Sequence, residues 1–313
     1  MAILQIIIPE RMIDQRIDTA LTEMLPDYSR SKITTWIKSG DALINNKTFK
    51  PKDKVIGNET VRLILKQKDN NHWLPEKLNL DIIFEDEDII IINKPFGLVT
   101  HPGAGNWSGT LANALLHHDS NLSNLDRVGI VHRLDKNTSG LMVVSKNIKS
   151  QKFLVEQLQT HSVEREYSAI VYGHMISGGS INEPIGRDSK DRIKQSISAK
   201  GKEAKTHYRA IDRFKNHTHV KVILETGRTH QIRVHLSYIG HPLIGDPMYG
   251  GRVRFPKKAS QELKDKLTNF QRQALHSKKL TLIHPVSGKS MSWKADLPSD
   301  MQELLNILRK FDS

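Results

Sequence analysis

The segment His132-Arg133-Leu134-Asp135-Lys136-Asn137-Thr138-Ser139-Gly140 sets one carboxylate between basic residues and a Thr-Ser-Gly turn. Two readings are open for Asp135. Its side chain closes an Asx-turn on its own backbone, the common place for Asp in a loop, or it stands exposed against cationic partners. A second segment, Thr226-Gly227-Arg228-Thr229-His230-Gln231-Ile232-Arg233, brings Arg228 and Arg233 to the first turns of a predicted helix. A helix N-terminus attracts anions and arginine adds a charge-assisted donor, so this segment suits a phosphate or a buried carboxylate. Tyr167 lies in a predicted strand, where a tyrosine is most often core with its hydroxyl satisfied.

Other chemistries find little support. The chain has no cysteine, which excludes disulfides, thiolate zinc sites and a cysteine nucleophile. His117-His118, His217 with His219, and His230 with His235 are candidate metal pairs. Adjacent residues in a helix diverge by about 100 degrees and no His-Glu-x-x-His pattern is present, so these histidines read as structural or RNA-contact residues. Gly103 and Gly105 lack a strand and helix around them and read as a flexible turn rather than a nucleotide loop. The expectation is no metal and no cofactor.

Charge points outward. Lys and Arg number 47 against 34 Asp and Glu, a net charge of +13 over 313 residues. Phosphate backbones are the commonest partner of so basic a surface, with an anionic membrane face as rival. The apolar run in Met1 to Pro9 is too short for a signal or a membrane span, and no later segment spans. A cytoplasmic protein is expected.

The elements that must position these residues fall into two groups. Helices are predicted over Arg16–Leu25, with Ile17, Leu21 and Leu25 in register, and over Arg30–Lys38, capped by Ser29 and closed by Gly40. Strands follow at 42–44 and 61–65 around the Asn45-Asn46-Lys47 turn. Arg16, Arg30, Lys32, Lys38 and Lys47 cluster here, as a solvated face or as a surface that tracks phosphates. Lys66 to Lys77 is polar and aperiodic. Beyond Leu80 come strands at 82–84, 89–92, 130–131, 141–144, 167–172 and 220–224. Helices are predicted over 148–158, over 230–239 capped by Thr229 and closed by Gly240, and over 301–311. Strands and helices without regular alternation indicate an α+β fold. The Asp135 segment sits in a connection between two buried strands.

HRLDKNTSG resembles the signature of the RluA family of pseudouridine synthases. EDEDIIIINKPFGLVTHPGAGN, EREYSAIVYGHM, ETGRTHQIRVHLSYIGHPLIGDPMYGG and RQALHSKKLTLIHPVSG resemble the same family in the same order. YSRSKITTWIKSG and NNKTFKPKDKV are similar to the RNA-binding module first seen in ribosomal small-subunit protein four. The resemblance covers nearly the whole chain. It implies an S-four-type RNA-binding domain over 1–70, a linker over 71–79, and a catalytic domain with a mixed, mostly antiparallel sheet over 80–313. Ser139 departs from the pattern, where relatives often carry a second threonine.

The resemblance also implies roles. Asp135 is the catalytic nucleophile, Tyr167 stacks near the target base and moves a proton, and Arg233 pairs with the aspartate. Arg133 contacts RNA beside the flipped nucleotide, His132 and Thr138 line or support the loop, and His132 and Arg228 join the RNA-binding set. The reaction breaks the ribose-to-nitrogen bond of uridine, turns the base and rejoins it through carbon. A carboxylate can trap the anomeric carbon or assist its ionisation, with no electron carrier or second substrate. A buried carboxyl kept ionised needs a nearby cation, which lowers its pKa by about 1–3 units; Arg233 is the candidate. The implied partner is large-subunit ribosomal RNA, free or in a pre-ribosomal particle, at the stem-loop facing the small subunit, with the uridine flipped out. The chain is expected to act as a monomer. The alternatives are a sister synthase for other rRNA uridines and a non-catalytic RNA-binding assembly factor.

Overall fold

A computed structural model describes residues 2–26, 28, 30–65, 73–103 and 105–312. The chain divides into two compact units, Met1–His72 and Trp73–Ser313.

The first unit holds β1 (Ala2–Ile7), α1 (Ile17–Met24), α2 (Arg30–Ser39), β2 (Ala42–Ile44) and β3 (Thr60–Leu65). β3 is central, antiparallel to β1 on one side and β2 on the other. Ile17 and Leu21 of α1 and Ile33 and Ile37 of α2 bury one stripe each against Val61 and Leu63 of β3. Asn45 and Asn46 both take positive φ, 46° and 62°, as a type I′ turn demands and asparagine tolerates. β1 was not expected, because its apolar run alternates with nothing that marks a strand. The predicted cap Ser29 and residues 66–72 of the polar stretch lie outside the described residues.

The second unit continues with β4 (Ile82–Glu85), β5 (Ile89–Lys94), α3 (Leu111–His118), β6 (Ser139–Ser145), α4 (Ile148–Gln159), β7 (Glu164–Tyr172), β8 (Gly179–Asn182), β9 (Ile185–Arg187), β10 (Gln195–Ile197), β11 (Lys205–Arg213), β12 (His217–Leu224), α5 (Gln231–Tyr238), α6 (Gln261–Asn269), β13 (Leu275–Ile283), β14 (Ser290–Lys294) and α7 (Ser299–Phe311). Nine strands form one sheet in the order β4-β5-β6-β13-β7-β12-β11-β8, with β14 beside β13. Among the described strands of this sheet, β6–β13 is the one parallel pairing. The sheet is therefore mixed and mostly antiparallel, and with the helices makes an α+β architecture. β6 is buried along its whole length, which is why Leu141 to Val144 is an unbroken apolar run rather than an alternating one.

Three expectations need correction. Residues 73–79 are not a free linker but belong to the second unit. Trp73 packs on its core, the Leu74 carbonyl accepts from Asn113 Nδ2 (2.8 Å), and Glu76 accepts the Gly109 amide (2.9 Å). Polarity hid these backbone-mediated contacts. Second, Ile130 makes only an isolated bridge to Val144, so the Asp135 loop leads into a strand but does not follow one. Third, Thr229 does not cap α5. The N-cap is His230, with left-handed backbone and no side-chain cap. Gln231 Oε1 instead accepts the Arg228 amide (2.9 Å) and the Thr226 hydroxyl (2.8 Å), tying the turn from inside the helix.

Candidate active site

The Asp135 loop is built from its buried neighbours. Leu134 sits in the main core with Tyr167, Ile232 and Leu236; burying such a side chain stabilises by roughly 1.5–3 kcal/mol. The Leu134 carbonyl accepts from Thr100 Oγ1 (2.8 Å). The turn is closed by the Asp135 carbonyl and the Thr138 amide (3.0 Å), and Thr138 Oγ1 accepts from Gln273 Nε2 (3.0 Å). A turn is thus present, but the carboxylate is not what closes it. Gly140 then enters β6 at φ 113°, where a Cβ would lie 2.3 Å from the Ser277 carbonyl oxygen. Only glycine lets β13 approach this closely.

Asp135 faces α5. Its Oδ2 accepts from Arg233 Nη1 at 3.0 Å, and its Oδ1 lies 3.8 Å from His230 Nε2. Arg233 is itself clamped. Asp246, with a fully buried side chain, takes Nε (2.7 Å) and Nη2 (2.9 Å) in a two-point pair. The Tyr249 ring lies under the guanidinium, 4.9 Å from centroid to Cζ. Burial alone would push the Asp246 carboxyl up, but Arg233 and the backbone amides of Met248 and Tyr249 hold it below the usual carboxylate range. Burial opposes the Arg233 charge, yet Asp246 and then Asp135 raise its pKa. The result is one arginine between two carboxylates, with the deeper one fixing its orientation and the shallower one left partly open.

Tyr167 stands on β7 with Ser277 and Val222 as its strand neighbours, so the strand carrying Gly140 and the strand carrying Tyr167 flank the same β13 residue. Its cross-strand neighbour Ser277 donates Oγ to the Leu141 carbonyl (3.0 Å). Burial raises the Tyr167 pKa, with Arg165 working against it, so the phenol is neutral.

The other expected residues are distributed unevenly. Arg133 is exposed, close enough to depress the titration of both His101 and His230. His132 has structural work: its Nε2 accepts the Val143 amide of β6 (3.0 Å), and burial together with Arg165 drops its pKa to about 3. Arg228 donates Nε to the Glu203 carbonyl (2.8 Å). In the first unit, Arg16 and Arg30 both bind Asp18, each at 3.0 Å. Lys32 lies over the rings of Tyr28 and Trp36. Lys38 and Arg16 line an open groove with Phe49, Lys50 and Lys52, and Lys47 is exposed at its turn.

Five of the six histidines singled out as metal pairs are engaged within the protein: His217 with Asp312, His219 with Ser168 and Asp212, His230 with Tyr249, His235 with Thr206, and His118 with Glu85. Among the described residues, Asp86, Asp88 and His284 bring ligand-type atoms within 4.8 Å of one another. Their atoms are taken by Ile89, Asn147, Ser150 and one another.

Sequence reading missed Asp246, Tyr249 and Lys94, and took His230 for a structural or RNA-contact residue rather than a neighbour of Asp135. Lys94 is fully buried behind the loop, its Nζ donating to the carbonyls of Pro95 (2.9 Å), Leu98 (2.9 Å) and Lys136 (3.2 Å). Burial lowers its pKa to about 7, with Asp135 opposing. Its signal in the sequence was a lone lysine closing an isoleucine run ahead of a proline.

The sequence model of the RNA pseudouridylate synthase family matches residues 88–238, a span that holds Asp135, Tyr167 and Arg233 and stops short of Asp246. Ribosomal large subunit pseudouridine synthase D of Escherichia coli (strain K12) is 51% identical over 303 residues, 96% of this chain and 93% of that protein. The protein of the same name from Xanthomonas campestris pv. campestris is 46% identical over 306 residues, 98% of this chain and 92% of that one. The solved structure of human RNA pseudouridylate synthase domain containing 4 is similar with a TM-score of 0.57 and 27% identity, over 74% of this chain and 94% of that one.

Proposed function

Because the chain belongs to the RluA family of RNA pseudouridylate synthases and so is an isomerase acting on RNA, we propose that it converts uridines of large-subunit ribosomal RNA to pseudouridine with Asp135 as the nucleophile. The observation that carries this reading is the Asp246–Arg233–Asp135 array, which leaves one Asp135 carboxylate oxygen open beside a fixed cation. Asp135 engages the anomeric carbon of a flipped uridine while the base turns, and Arg233 stabilises the carboxylate before and after. Tyr167, neutral and buried next to the loop, stacks on the base and shuttles the proton that leaves the ring carbon. Arg133, exposed beside the pocket, meets the RNA backbone.

The names of the relatives that align over almost the whole chain support ribosomal RNA of the large subunit as substrate. The stem-loop facing the small subunit is the site within it that the family resemblance favours. The first unit serves as the S-four-type RNA-binding domain, with Lys38, Lys47 and the groove around Phe49 tracking phosphates.

Mapping pseudouridine in ribosomal RNA from cells with and without the gene tests the proposal. Loss of a cluster in the large-subunit stem-loop supports it. Loss at other rRNA uridines assigns a sister specificity, and an unchanged map rejects the substrate assignment.

A further inference from the structure

His230 combines three features that the reaction so far leaves unused. Its backbone is left-handed, φ 58°, which a residue with a side chain adopts at a cost and which at an N-cap forgoes the usual extended conformation. Its ring is mostly buried and its Nε2 points at the Asp135 oxygen that Arg233 does not hold, 3.8 Å away. Its Nδ1 is 2.9 Å from the Tyr249 hydroxyl, which in turn accepts the Gln195 amide at 2.9 Å.

This chain of contacts selects a tautomer. The Gln195 N–H can only donate, so the Tyr249 oxygen accepts there and has its own proton to give. Given to His230 Nδ1, that proton leaves the imidazole hydrogen on Nε2, facing a carboxylate. The opposite tautomer would set a lone pair against the Asp135 charge. Burial, with Arg233 and Arg133 nearby, lowers the His230 pKa, while Asp135 and Asp246 oppose; the neutral ring is the form that this geometry holds. Tyr249 serves both donors of Asp135, since its ring also lies under Arg233.

We propose that His230 is a further positioning residue of the active site, whose Nε2–H orients the free Asp135 oxygen, and that Tyr249 sets the tautomer and aim of the ring. This rests on the reading of Asp135 as nucleophile. Arg233 fixes one carboxylate oxygen and His230 restrains the rotation of the other. At 3.8 Å the contact is outside hydrogen-bond range, and it strengthens when a flipped nucleotide displaces water and reduces screening.

The test is single-turnover tritium release from large-subunit rRNA carrying 5-tritiated uridine, with the full chain in excess, alongside RNA binding and thermal melting. His230→Asn tolerates the left-handed backbone and keeps a group at the Nδ1 position, but removes the one at Nε2. His230→Gln restores an N–H near Nε2 at a somewhat higher backbone cost than histidine, which the thermal melting reads. The expected result is a rate about tenfold lower for His230→Asn, with RNA affinity unchanged and recovery to within about threefold for His230→Gln. Tyr249→Phe falls between them and carries the test if His230→Asn does not fold. Wild-type rate in His230→Asn, or equal loss in the Asn and Gln variants, overturns the assignment. Asp135→Asn, run beside them, separates the two readings: an active Asp135→Asn enzyme defeats the nucleophile itself, whereas an inactive one with a normal His230→Asn defeats only the role of His230.

Discussion

Asp18 and Asp135 are both held by arginine, and they differ in how that arginine is itself held and in which carboxylate oxygens stay open. Asp18, on α1, is the more buried, with a side chain 6% exposed, and both of its oxygens are occupied. Arg16 takes Oδ1 and Oδ2 at 3.0 Å each, and Arg30 takes Oδ2 at 3.0 Å. Its arginines are themselves more than half exposed, at 52% and 55%. Asp135 is 17% exposed, has one oxygen bound at 3.0 Å and the other 3.8 Å from its next partner, and its arginine is only 6% exposed. The difference teaches that an arginine beside a carboxylate is not in itself a sign of catalysis. What marks the site is a cation immobilised from behind, by Asp246, and a carboxylate oxygen left reachable in front.

The comparison can be broken at the cation first. Arg233→Ala should lower single-turnover tritium release by about 10²–10³-fold, as loss of a fixed electrostatic partner does, whereas Arg16→Ala should leave that rate unchanged. Equal effects would mean the two carboxylates are not different in kind. Asp246→Asn strips a buried charge from its partner, which typically costs 3–5 kcal/mol, roughly. The urea midpoint of the second unit should fall accordingly, and the rate should drop because Arg233 loses its aim.

Tyr167→Phe should slow turnover by about 10²-fold, within the range for general acid–base groups, and leave RNA affinity intact. Full activity would remove the phenol from proton transfer and leave only its ring.

The smallest effect is at Asp18. Arg16 and then Arg30 hold its carboxyl at about 2, against an ordinary 3.8, with burial opposing. The folded value is depressed, so the stabilisation is complete above the ordinary value and fades as pH falls from about 4 through about 2. Because solvent surrounds both arginines, Asp18→Asn should cost only about 1 kcal/mol at neutral pH. Hydrogen exchange of the α1 amides would show a stability difference from wild type that disappears in acid.

Much of this arrangement was legible beforehand. The helices of the first unit follow from Ile17, Leu21, Ile33 and Ile37 at helical spacing, and the meeting of Asp135 with Arg233 was anticipated across 98 positions of sequence. The clamp was not. Asp246 lies in a loop with no periodicity, and its partnership with Arg233 exists only once β12, α5 and the following turn are folded together. Lys94 lay just beyond the strand expected at 89–92 and drew no notice, because the carbonyl cage that holds it is made by backbone, which carries no residue signature. The same limit applies to Trp73 to Leu78, whose docking is largely through main-chain groups. For that reason a truncation testing whether the second unit folds alone should begin at Trp73 rather than at Leu80. Folding of the longer form with weakened RNA binding is the expected outcome of urea denaturation and filter binding.

The most direct measurement sets the two aspartates side by side: tritium release from 5-tritiated large-subunit rRNA by Asp135→Asn and Asp18→Asn, at equal concentrations of folded protein. Asp135→Asn should release no tritium above background while still binding RNA, and Asp18→Asn should match the wild-type rate. Turnover by Asp135→Asn near the wild-type rate, or an equal loss in both variants, would contradict the assignment of Asp135 as the nucleophile.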